Sequence, residues 1–497
     1  MKTPGSTSVS RRKSRSGCLT CKSRRVKCDE TKPSCLRCVS TKRICEGYGA
    51  APQNSLAFDC MKDEERRAFL FFRSQTVRQI FGHRDVDDWL PILLQTGHRE
   101  TPVKHVITAV ASLHESIELG NQSRKHAQMS AQMLALKHYM SATKSVQIES
   151  PDMSHRPDIV LALCILFICF EQFRSGDAAC IVHLKAGFRL LYWWRHRTTT
   201  YNSLQEYSRP TLNFINNQIT PILQRLRVQF SLCMDSRHVL KDIGVPLCLP
   251  SPAIPASYNS LNHARRDFDQ VMNYVFSSSE RGLLPENGNG SPQQGPSAVL
   301  RLWKAALDSS EFAESSTLQE YTIKLLNLYY HISIVIAEVY RSGSEMIFDN
   351  YTDHFRTAVE LGESITTFNS WGKELQDFSL LFSFDLGITP PMFLVASRCR
   401  NPGIRRRAVN MMLESQSNFY HGAWRDQYSG LCAQRIMEIE EQSSGVVIDE
   451  NDVPEHNRIR KVSADLQETQ SEIIMQFRIW PFTTDSPIHS TTIKMGL

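Results

Sequence analysis

Six cysteines near the N-terminus have the spacing of metal ligands. They follow the pattern C-x2-C-x6-C-x6-C-x2-C-x6-C, in which each of the first three recurs 17 residues later. A C-x-x-C pair can place two thiolates about 2.3 Å from one tetrahedral zinc ion. Each half then offers three ligands where a closed zinc site takes four, so six sulfurs satisfy two ions only if two cysteines are shared. The six are Cys18, Cys21, Cys28, Cys35, Cys38 and Cys45.

A redox C-x-x-C motif is the main alternative for these cysteines. Such a motif needs only two cysteines beside a βαβ unit, and it does not explain six in a 17-residue repeat. The segment is also too short to fold around buried apolar side chains, so metal binding and folding are expected to be one event. The sequence therefore predicts a structural site for two Zn²⁺ ions within residues 18–45. The other cysteines are scattered, and they are expected to be small buried side chains.

The stretch between Cys21 and Cys28, KSRRVK, has cations at four of its six positions. On a short helix held at both ends by zinc, these side chains would form a rigid basic surface. Arginine can bind guanine O6 and N7 together in the major groove, whereas lysine mainly contacts phosphate. A solvated charge run or a nuclear import signal would account for the same residues, but the adjacent metal site favours DNA contact. The candidate DNA-binding residues are Lys22, Arg24, Arg25 and Lys27 here, and Lys42 and Arg43, expected at phosphates, in the second half.

Positive charge is concentrated at the N-terminus. Residues 1–49 carry 13 Lys/Arg and 3 Asp/Glu, whereas the net charge of the whole chain is only +6. A basic segment on a nearly neutral remainder indicates a polyanionic partner at this end. Residues 1–17 are predicted to be disordered, and their cluster of cations is open to two interpretations, nuclear localisation or phosphate contact. Its members are Arg11, Arg12, Lys13 and Arg15.

Helical periodicity dominates after residues 46–60, which are predicted to form a linker. Apolar residues recur at spacings of three and four, as in segment 106–117, and strand-like alternation is scarce. Residues 61–442 are therefore predicted to form a large all-α domain, interrupted by a mobile loop at the Gly/Pro-rich segment 285–298. The periodicity fades afterwards, and residues 443–497 are predicted to be a C-terminal tail that is partly acidic.

The segment CLTCKSRRVKCDETKPSCLRCVSTKRIC, residues 18–45, resembles the fungal zinc binuclear cluster (Zn2Cys6) DNA-binding domain. The resemblance implies two short helices around two zinc ions, with Cys18 and Cys35 bridging both ions. The remaining ligands would complete one ion each: Cys21 with Cys28, and Cys38 with Cys45. The resemblance also implies that the first helix recognises CGG-type triplets in double-stranded DNA.

Segments such as TPVKHVITAVASLHE and IVLALCILFICFEQFRSG resemble the helical regulatory region of fungal transcription factors. This likeness extends diffusely over residues 61–442 and implies a regulatory domain that contacts transcription machinery or co-regulators. Many relatives dimerise through a coiled coil after the cluster, but residues 46–60 show no heptad seam. A homodimer would therefore have to form in another way. The resemblance implies a nuclear, sequence-specific regulator at RNA polymerase II promoters, controlling metabolic or secondary-metabolite genes.

Two other functions are alternatives to DNA-dependent regulation. One is a regulatory factor that acts through the helical domain with little dependence on DNA contact, and the other is an enzyme with a structural zinc module. No Gly-rich phosphate loop, nucleophile elbow or paired-carboxylate motif stands out in the sequence, and the chain is predicted not to be an enzyme. The longest apolar run, Ile159–Phe170, is too short to cross a bilayer, and no membrane partner is expected.

Two charged segments near the C-terminus are open to more than one interpretation. The arginines of the first would ordinarily be a solvated helix end, although the family resemblance suggests a conformationally important turn. The second segment is acidic, and either transcriptional activation or an ordinary disordered tail would account for it. The segments comprise Arg398, Arg400, Arg405, Arg406 and Arg407, and Asp449, Glu450, Asp452 and Glu455.

Overall fold

The computed structural model describes most of the chain after residue 60 and parts of the cysteine segment. The described residues are 18, 20–21, 24, 26–29, 31, 35–41, 43, 45, 61–153, 156–174, 177–200, 207–233, 251–281, 295–312, 316–339, 342–371, 382–384, 386–414, 420–421, 424–442, 444–467, 472–480 and 486–495. Predictions for residues 1–17 and 46–60 lie outside this set, as does most of the predicted loop 285–298. The chain divides into two compact units, Met1–Arg67 and Ala68–Leu497.

The α-helices account for most of the described residues, which confirms the predicted fold class. They are α1 (Leu36–Ser40), α2 (Asp63–Phe71), α3 (Val77–Arg99), α4 (Thr101–Asn121), α5 (Lys125–Met153), α6 (Pro157–Phe173), α7 (Asp177–Thr200), α8 (Arg209–Phe214), α9 (Thr220–Cys233), α10 (Leu261–Arg281), α11 (Pro296–Asp308), α12 (Thr317–Val339), α13 (Thr352–Trp371), α14 (Thr389–Arg398), α15 (Pro402–Leu413) and α16 (Asp426–Glu441).

Shorter elements complete the described structure. There are π-helical turns at Phe72–Thr76 and Ile215–Ile219, and 3₁₀ turns at Met346–Tyr351, Glu450–Asp452 and Glu455–Asn457. The strands are β1 (Phe382–Ser383), β2 (Tyr420–His421), β3 (Trp424–Arg425), β4 (Ile459–Gln467), β5 (Glu472–Ile479) and β6 (His489–Lys494). The loop prediction is wrong at its end, because Pro296 occupies the first turn of α11, where its fixed φ favours a helix.

The longest apolar run of the sequence forms helix α6, as its composition predicts. Pro157 begins the helix, and nearly all of its side chains are buried. Cys164 and Cys169 lie within this buried run as free thiols, which agrees with their expected role as small core side chains. None of the helices in the described part of the chain is both long and apolar enough to cross a membrane.

Helices from α10 onward pack around one hydrophobic core. The Trp303 ring is fully buried in this core, with its centroid 4.1 Å from that of the Phe268 ring, and its indole N–H donates to the backbone oxygen of Ala264 at 2.9 Å. The Tyr329 hydroxyl likewise donates to the backbone oxygen of Gly387 at 2.8 Å. These bonds allow two large amphipathic rings to be buried without an unsatisfied donor.

The C-terminal residues are not a tail, and the prediction for 443–497 is wrong in this respect. Strands β4, β5 and β6 form an antiparallel sheet in that order. Along β5, Ile473, Met475 and Phe477 are buried, and the residues between them are more exposed. The buried side chains belong to the same hydrophobic core as the helices. The sheet therefore covers one side of the helical core and leaves its other face polar.

Two arginines of the segment expected to be a solvated helix end are completely buried. Arg400 and Arg405 both contact Glu440, which is itself fully buried. Glu440 accepts from Arg400 Nη2 at 2.8 Å, from Arg405 Nη2 at 2.6 Å, and from the backbone N–H of Ile459 at 2.7 Å. Burial raises the pKa of Glu440, but the two guanidiniums outweigh it and hold the pKa at about 2. This carboxylate therefore links α15, α16 and the first residue of β4.

A third buried arginine ties the acidic segment to the helices. Arg458 donates to both carboxylate oxygens of Asp349, at 2.9 and 2.7 Å, and to the backbone oxygens of Glu345, Glu450 and Val453. The Glu450 carboxylate in turn accepts from Thr352 and Asn401. The acidic segment is thus an ordered part of the fold, and interpreting it as a disordered tail is wrong.

We expect Glu440→Ala to lower the free energy of unfolding by about 3–5 kcal/mol, because two buried guanidiniums lose their carboxylate. Urea unfolding followed by tryptophan fluorescence measures this change, since all seven tryptophans lie in the unit Ala68–Leu497. The matched control is Glu363→Ala, which breaks a 2.6 Å ion pair with Arg407 whose side chains are both partly exposed. The control should cost less than about 1 kcal/mol. Equal losses in the two variants would contradict a special role for burial.

Candidate metal centre and nucleic-acid interface

The six cysteines predicted as ligands come together as two overlapping groups of four sulfurs. In each group, all sulfur atoms lie within 4.8 Å of one another, and both groups contain Cys18 and Cys35. The first group is completed by Cys21 and Cys28, and the second by Cys38 and Cys45. All six are free thiols. Two four-sulfur cages that share two sulfurs are the arrangement that the ligand count requires.

The distances between sulfurs fit zinc. The shared Cys18 and Cys35 sulfurs are 3.6 Å apart. Within the first group, Cys21 Sγ lies 3.7 Å from Cys35 Sγ, and within the second, Cys38 Sγ lies 3.8 Å from Cys18 Sγ. Zinc–sulfur bonds of about 2.3 Å at tetrahedral angles place two sulfurs about 3.8 Å apart. Soft, closely spaced thiolates in this geometry are a donor set that suits Zn²⁺.

The 17-residue sequence repeat is also a structural repeat. The Cys21 N–H donates to Cys18 Sγ at 3.3 Å, and the Cys38 N–H donates to Cys35 Sγ at the same distance. The N–H groups of Cys18 and Cys35 donate to the sulfurs of Cys28 and Cys45, at 3.4 and 3.5 Å. The two halves therefore repeat the same turns, and in each half backbone dipoles point at sulfur and stabilise negative charge there.

Burial dominates the acidity of these thiols. It raises the pKa of Cys18, Cys35 and Cys38 above the ordinary value for cysteine. Ionised sulfurs in such a position need a nearby cation, and a coordinated Zn²⁺ deprotonates the thiol that binds it. A module whose interior consists of sulfur thus depends on metal for its charge balance as well as for its fold.

An aspartate that the sequence reasoning missed connects the two halves. One Asp29 oxygen accepts from the backbone N–H of Leu36 at 3.0 Å, and the other accepts from that of Arg37 at 2.7 Å. The Asp29 carboxylate also accepts hydrogen bonds from Thr31. Together these hydrogen bonds lower the pKa of the Asp29 carboxyl, and the bond from the Thr31 hydroxyl has the largest effect. Asp29 therefore binds the first N–H groups of helix α1, directly after Cys35, as anionic residues do at helix N-termini.

Three of the six candidate DNA-binding residues lie among the described residues. Lys27 and Arg43 are exposed, and Arg24 is half-buried. The Arg24 guanidinium donates to the Thr41 hydroxyl at 3.4 Å, so this side chain reaches from the first half of the module to the second. Lys22, Arg25 and Lys42 lie outside the described residues, as does the basic cluster formed by Arg11, Arg12, Lys13 and Arg15. Arg37 is a further exposed cation, on helix α1, that the sequence reasoning did not select.

The pair His114-Glu115 begins like the metalloprotease motif H-E-x-x-H, but the motif is incomplete. His114 is buried, and its Nδ1 lies 3.0 Å from the Thr76 hydroxyl. Glu118 occupies the position where a second histidine ligand would be needed, and it lies 3.8 Å from His114 Nε2. Within the described residues, the groups of side chains that could hold a metal consist of the six cysteines.

We expect Asp29→Ala to weaken zinc retention roughly tenfold, because residues that orient ligands through hydrogen bonds typically affect metal affinity to this degree. Competition with a chromogenic chelator measures the retention in the full chain. Glu64→Ala, which removes an exposed carboxylate outside the cysteine segment, is the matched control and should release zinc like the unmodified chain. Equal retention in both variants would mean that the Asp29 hydrogen bonds do not support the site.

Comparisons with known proteins match both parts of the chain. The fungal Zn(2)-Cys(6) binuclear cluster domain matches residues 16–55, and the fungal specific transcription factor domain matches residues 69–239. The second match covers about the first half of the region predicted to be regulatory. No solved structure matches this chain.

Three relatives illustrate the likeness. The chain is 27% identical over 216 residues to an aspercryptin biosynthesis cluster-specific transcription regulator of Emericella nidulans, covering 36% of this chain and 35% of the relative. It is 24% identical over 231 residues to the transcription regulator lscL of Purpureocillium lilacinum, covering 40% of this chain and 52% of that protein. It is 63% identical over 38 residues, 8% of each chain, to the transcriptional regulatory protein moc3 of Schizosaccharomyces pombe.

The alignments span about a third to a half of the two longer-matching relatives, so they cover parts of those proteins and not the whole of either. The short match has the highest identity of the three. Two matching domains and six cysteines in two overlapping cages lead to one conclusion: the chain carries a fungal Zn2Cys6 binuclear cluster domain, which holds two zinc ions through six cysteines, followed by a fungal specific transcription factor domain.

Proposed function

We propose that this protein regulates transcription by binding CGG-type triplets through its cysteine module, at promoters read by RNA polymerase II. The observation that carries the proposal is the pair of sulfur cages that share Cys18 and Cys35. Such a cluster gives a short segment a fixed shape, and a fixed shape is what basic side chains need in order to contact base edges reproducibly.

In this proposal, Cys18 and Cys35 bridge the two zinc ions, and each ion is completed by the other two cysteines of its cage. Arg24 and Arg25 contact guanine in the major groove, and Lys22 and Lys27 hold phosphates beside it. Lys42 and Arg43 hold phosphates from the second half. The Arg24–Thr41 contact holds this arginine against the opposite half of the module, so its position relative to both halves is fixed.

The genes under control are proposed to belong to secondary metabolism. The name of one relative states that it is specific for a biosynthesis cluster, that of aspercryptin. The protein would act in the nucleus, and the cluster of Arg11, Arg12, Lys13 and Arg15 is the proposed import signal. The helical unit is proposed to contact co-regulators or transcription machinery. A homodimer stays a prediction.

The zinc content of cysteine variants tests whether Cys18 and Cys35 are shared by the two ions. Cys35→Ala removes a ligand from both cages and should leave almost no zinc in the full chain, whereas Cys45→Ala leaves the first cage intact and should leave about one ion. Elemental analysis of the purified protein measures the ratio. Cys164→Ala, which alters a buried cysteine of α6, is the control and should leave both ions in place.

Cadmium-loaded protein separates shared sulfurs from two independent sites. If two sulfurs bridge the ions, the cadmium NMR spectrum should show two resonances that are split by their mutual coupling. Two unsplit resonances would contradict bridging, even if the zinc content of the variants followed the expected order.

DNA recognition is tested by gel shift of the full chain, with zinc, at one fixed salt concentration. The chain should bind a CGG-containing duplex more tightly than a scrambled duplex of the same composition. Arg24→Ala and Arg25→Ala should each weaken specific binding by about 1–3 kcal/mol, the usual cost of losing a bidentate contact to guanine. Arg99→Ala, an exposed cation of the helical unit, is the control and should bind like the unmodified chain.

Equal binding of both duplexes would contradict sequence-specific recognition by the module. If the double variant of Arg24 and Arg25 also left the expression of target genes unchanged, regulation through the helical unit alone would replace the proposed function.

A further inference from the structure

Helix α5 exposes large apolar side chains where a surface helix normally carries polar ones. Met129, Met133, Leu136 and Met140 are exposed by 66%, 70%, 42% and 71%. Their spacing of four, three and four residues is that of a heptad seam and places them in one stripe about 16 Å long. We refer to these four residues as the methionine face. Contiguous apolar surface of this kind marks interaction sites in proteins.

The opposite side of the same helix shows that the methionine face is not needed for folding of the unit. Ala131, Ala135, His138 and Ala142 are buried and repeat the same spacing, two residues further along the chain. Helix α5 packs with these small residues against α4, where His138 Nδ1 lies 2.9 Å from His105 Nδ1. A helix that served only its own core would carry polar residues on its outer side, where α5 carries methionine and leucine.

The charged residues that α5 itself places beside the methionine face are all positive. Lys137 and Lys144 are exposed and follow one edge of the stripe, and the exposed Lys125 lies beside its other edge. The sequence contains no aspartate or glutamate from Gln122 to Ile148. A second copy of this chain would bring two basic edges together, whereas an acidic partner would neutralise them.

We propose that the methionine face is a docking site for an amphipathic helix of another protein, one that carries an apolar stripe flanked by acidic side chains. Methionine suits this task, because its unbranched and polarisable side chain adapts to partners of different shape. The apolar stripe of the partner would lie along the four side chains, and its carboxylates would face Lys125, Lys137 and Lys144. This is recognition of a helix by an apolar surface with charges at the rim.

This docking goes beyond the proposed recognition of DNA and does not depend on it. The methionine face belongs to the unit Ala68–Leu497, and the cysteine module belongs to Met1–Arg67. Failure of one activity therefore leaves the other measurable in the same full-length protein.

The test uses the full chain and two fluorescent synthetic peptides of about three heptads each. One carries leucine at the seam and glutamate at the flanking positions, and the other carries leucine with lysine. Fluorescence anisotropy should show binding of the acidic peptide, weakened by added salt, and no binding of the basic one. Combining Met133→Glu with Met140→Glu should weaken binding roughly tenfold or more, and combining Lys137→Glu with Lys144→Glu should also weaken it.

Leu302→Glu is the matched control, since Leu302 is an exposed apolar residue on a different helix, 45% exposed on α11. It should bind the acidic peptide like the unmodified chain, and all variants should keep their helical circular dichroism and their gel shift. The proposal is overturned if the two peptides bind equally or if the methionine variants bind normally. It is also overturned if sedimentation shows a dimer that these variants dissociate, because a second copy would then cover the face.

Discussion

The coordination number of zinc governs the N-terminal module. Two tetrahedral ions need eight ligand positions and the segment supplies six sulfurs, so two sulfurs have to serve both ions. Every other feature of the module follows from this sharing. The two halves repeat the same turns around the shared pair, backbone N–H groups converge on the sulfurs, and Asp29 fixes the start of helix α1 directly after Cys35. No apolar core of this size could replace the metal.

The helical unit is organised differently, because its interior contains charge as well as apolar surface. Arg400 and Arg405 are buried without contact to solvent and share the carboxylate of Glu440, and Arg400 also donates to that of Glu345. Burying ions is costly unless every partner is in place, so these residues fit only one arrangement of the surrounding helices and the sheet. Such a network contributes geometric definition more than stability, and it does so at the point where the last strands join the helices.

The parts of the structure that could be predicted from sequence are those in which a short pattern determines the geometry. Cysteine spacing determined the cages, and the apolar run of α6 determined a buried helix. The arginines near residue 400 could not be interpreted in this way, because nothing local indicates that Glu440 lies 35 residues beyond Arg405 and faces it. Strand β5 was missed although Ile473, Met475 and Phe477 alternate, since that alternation is short and follows a segment whose acidic residues indicated a tail. The exposure of the methionines of α5 could not be predicted either, because periodicity identifies an apolar stripe but does not show whether that stripe faces the core or the solvent.

The ordered C-terminal sheet has a consequence for genetics. A stop codon after Gln442 would delete Arg458, so the carboxylate of Asp349 and the backbone oxygen of Glu345 would lose their guanidinium partner. It would also expose the core side that Ile473 and Phe477 cover. Late nonsense and frameshift alleles should therefore act as folding lesions, with reduced protein level, and resemble null alleles in phenotype. They should not resemble regulators that have merely lost an output segment.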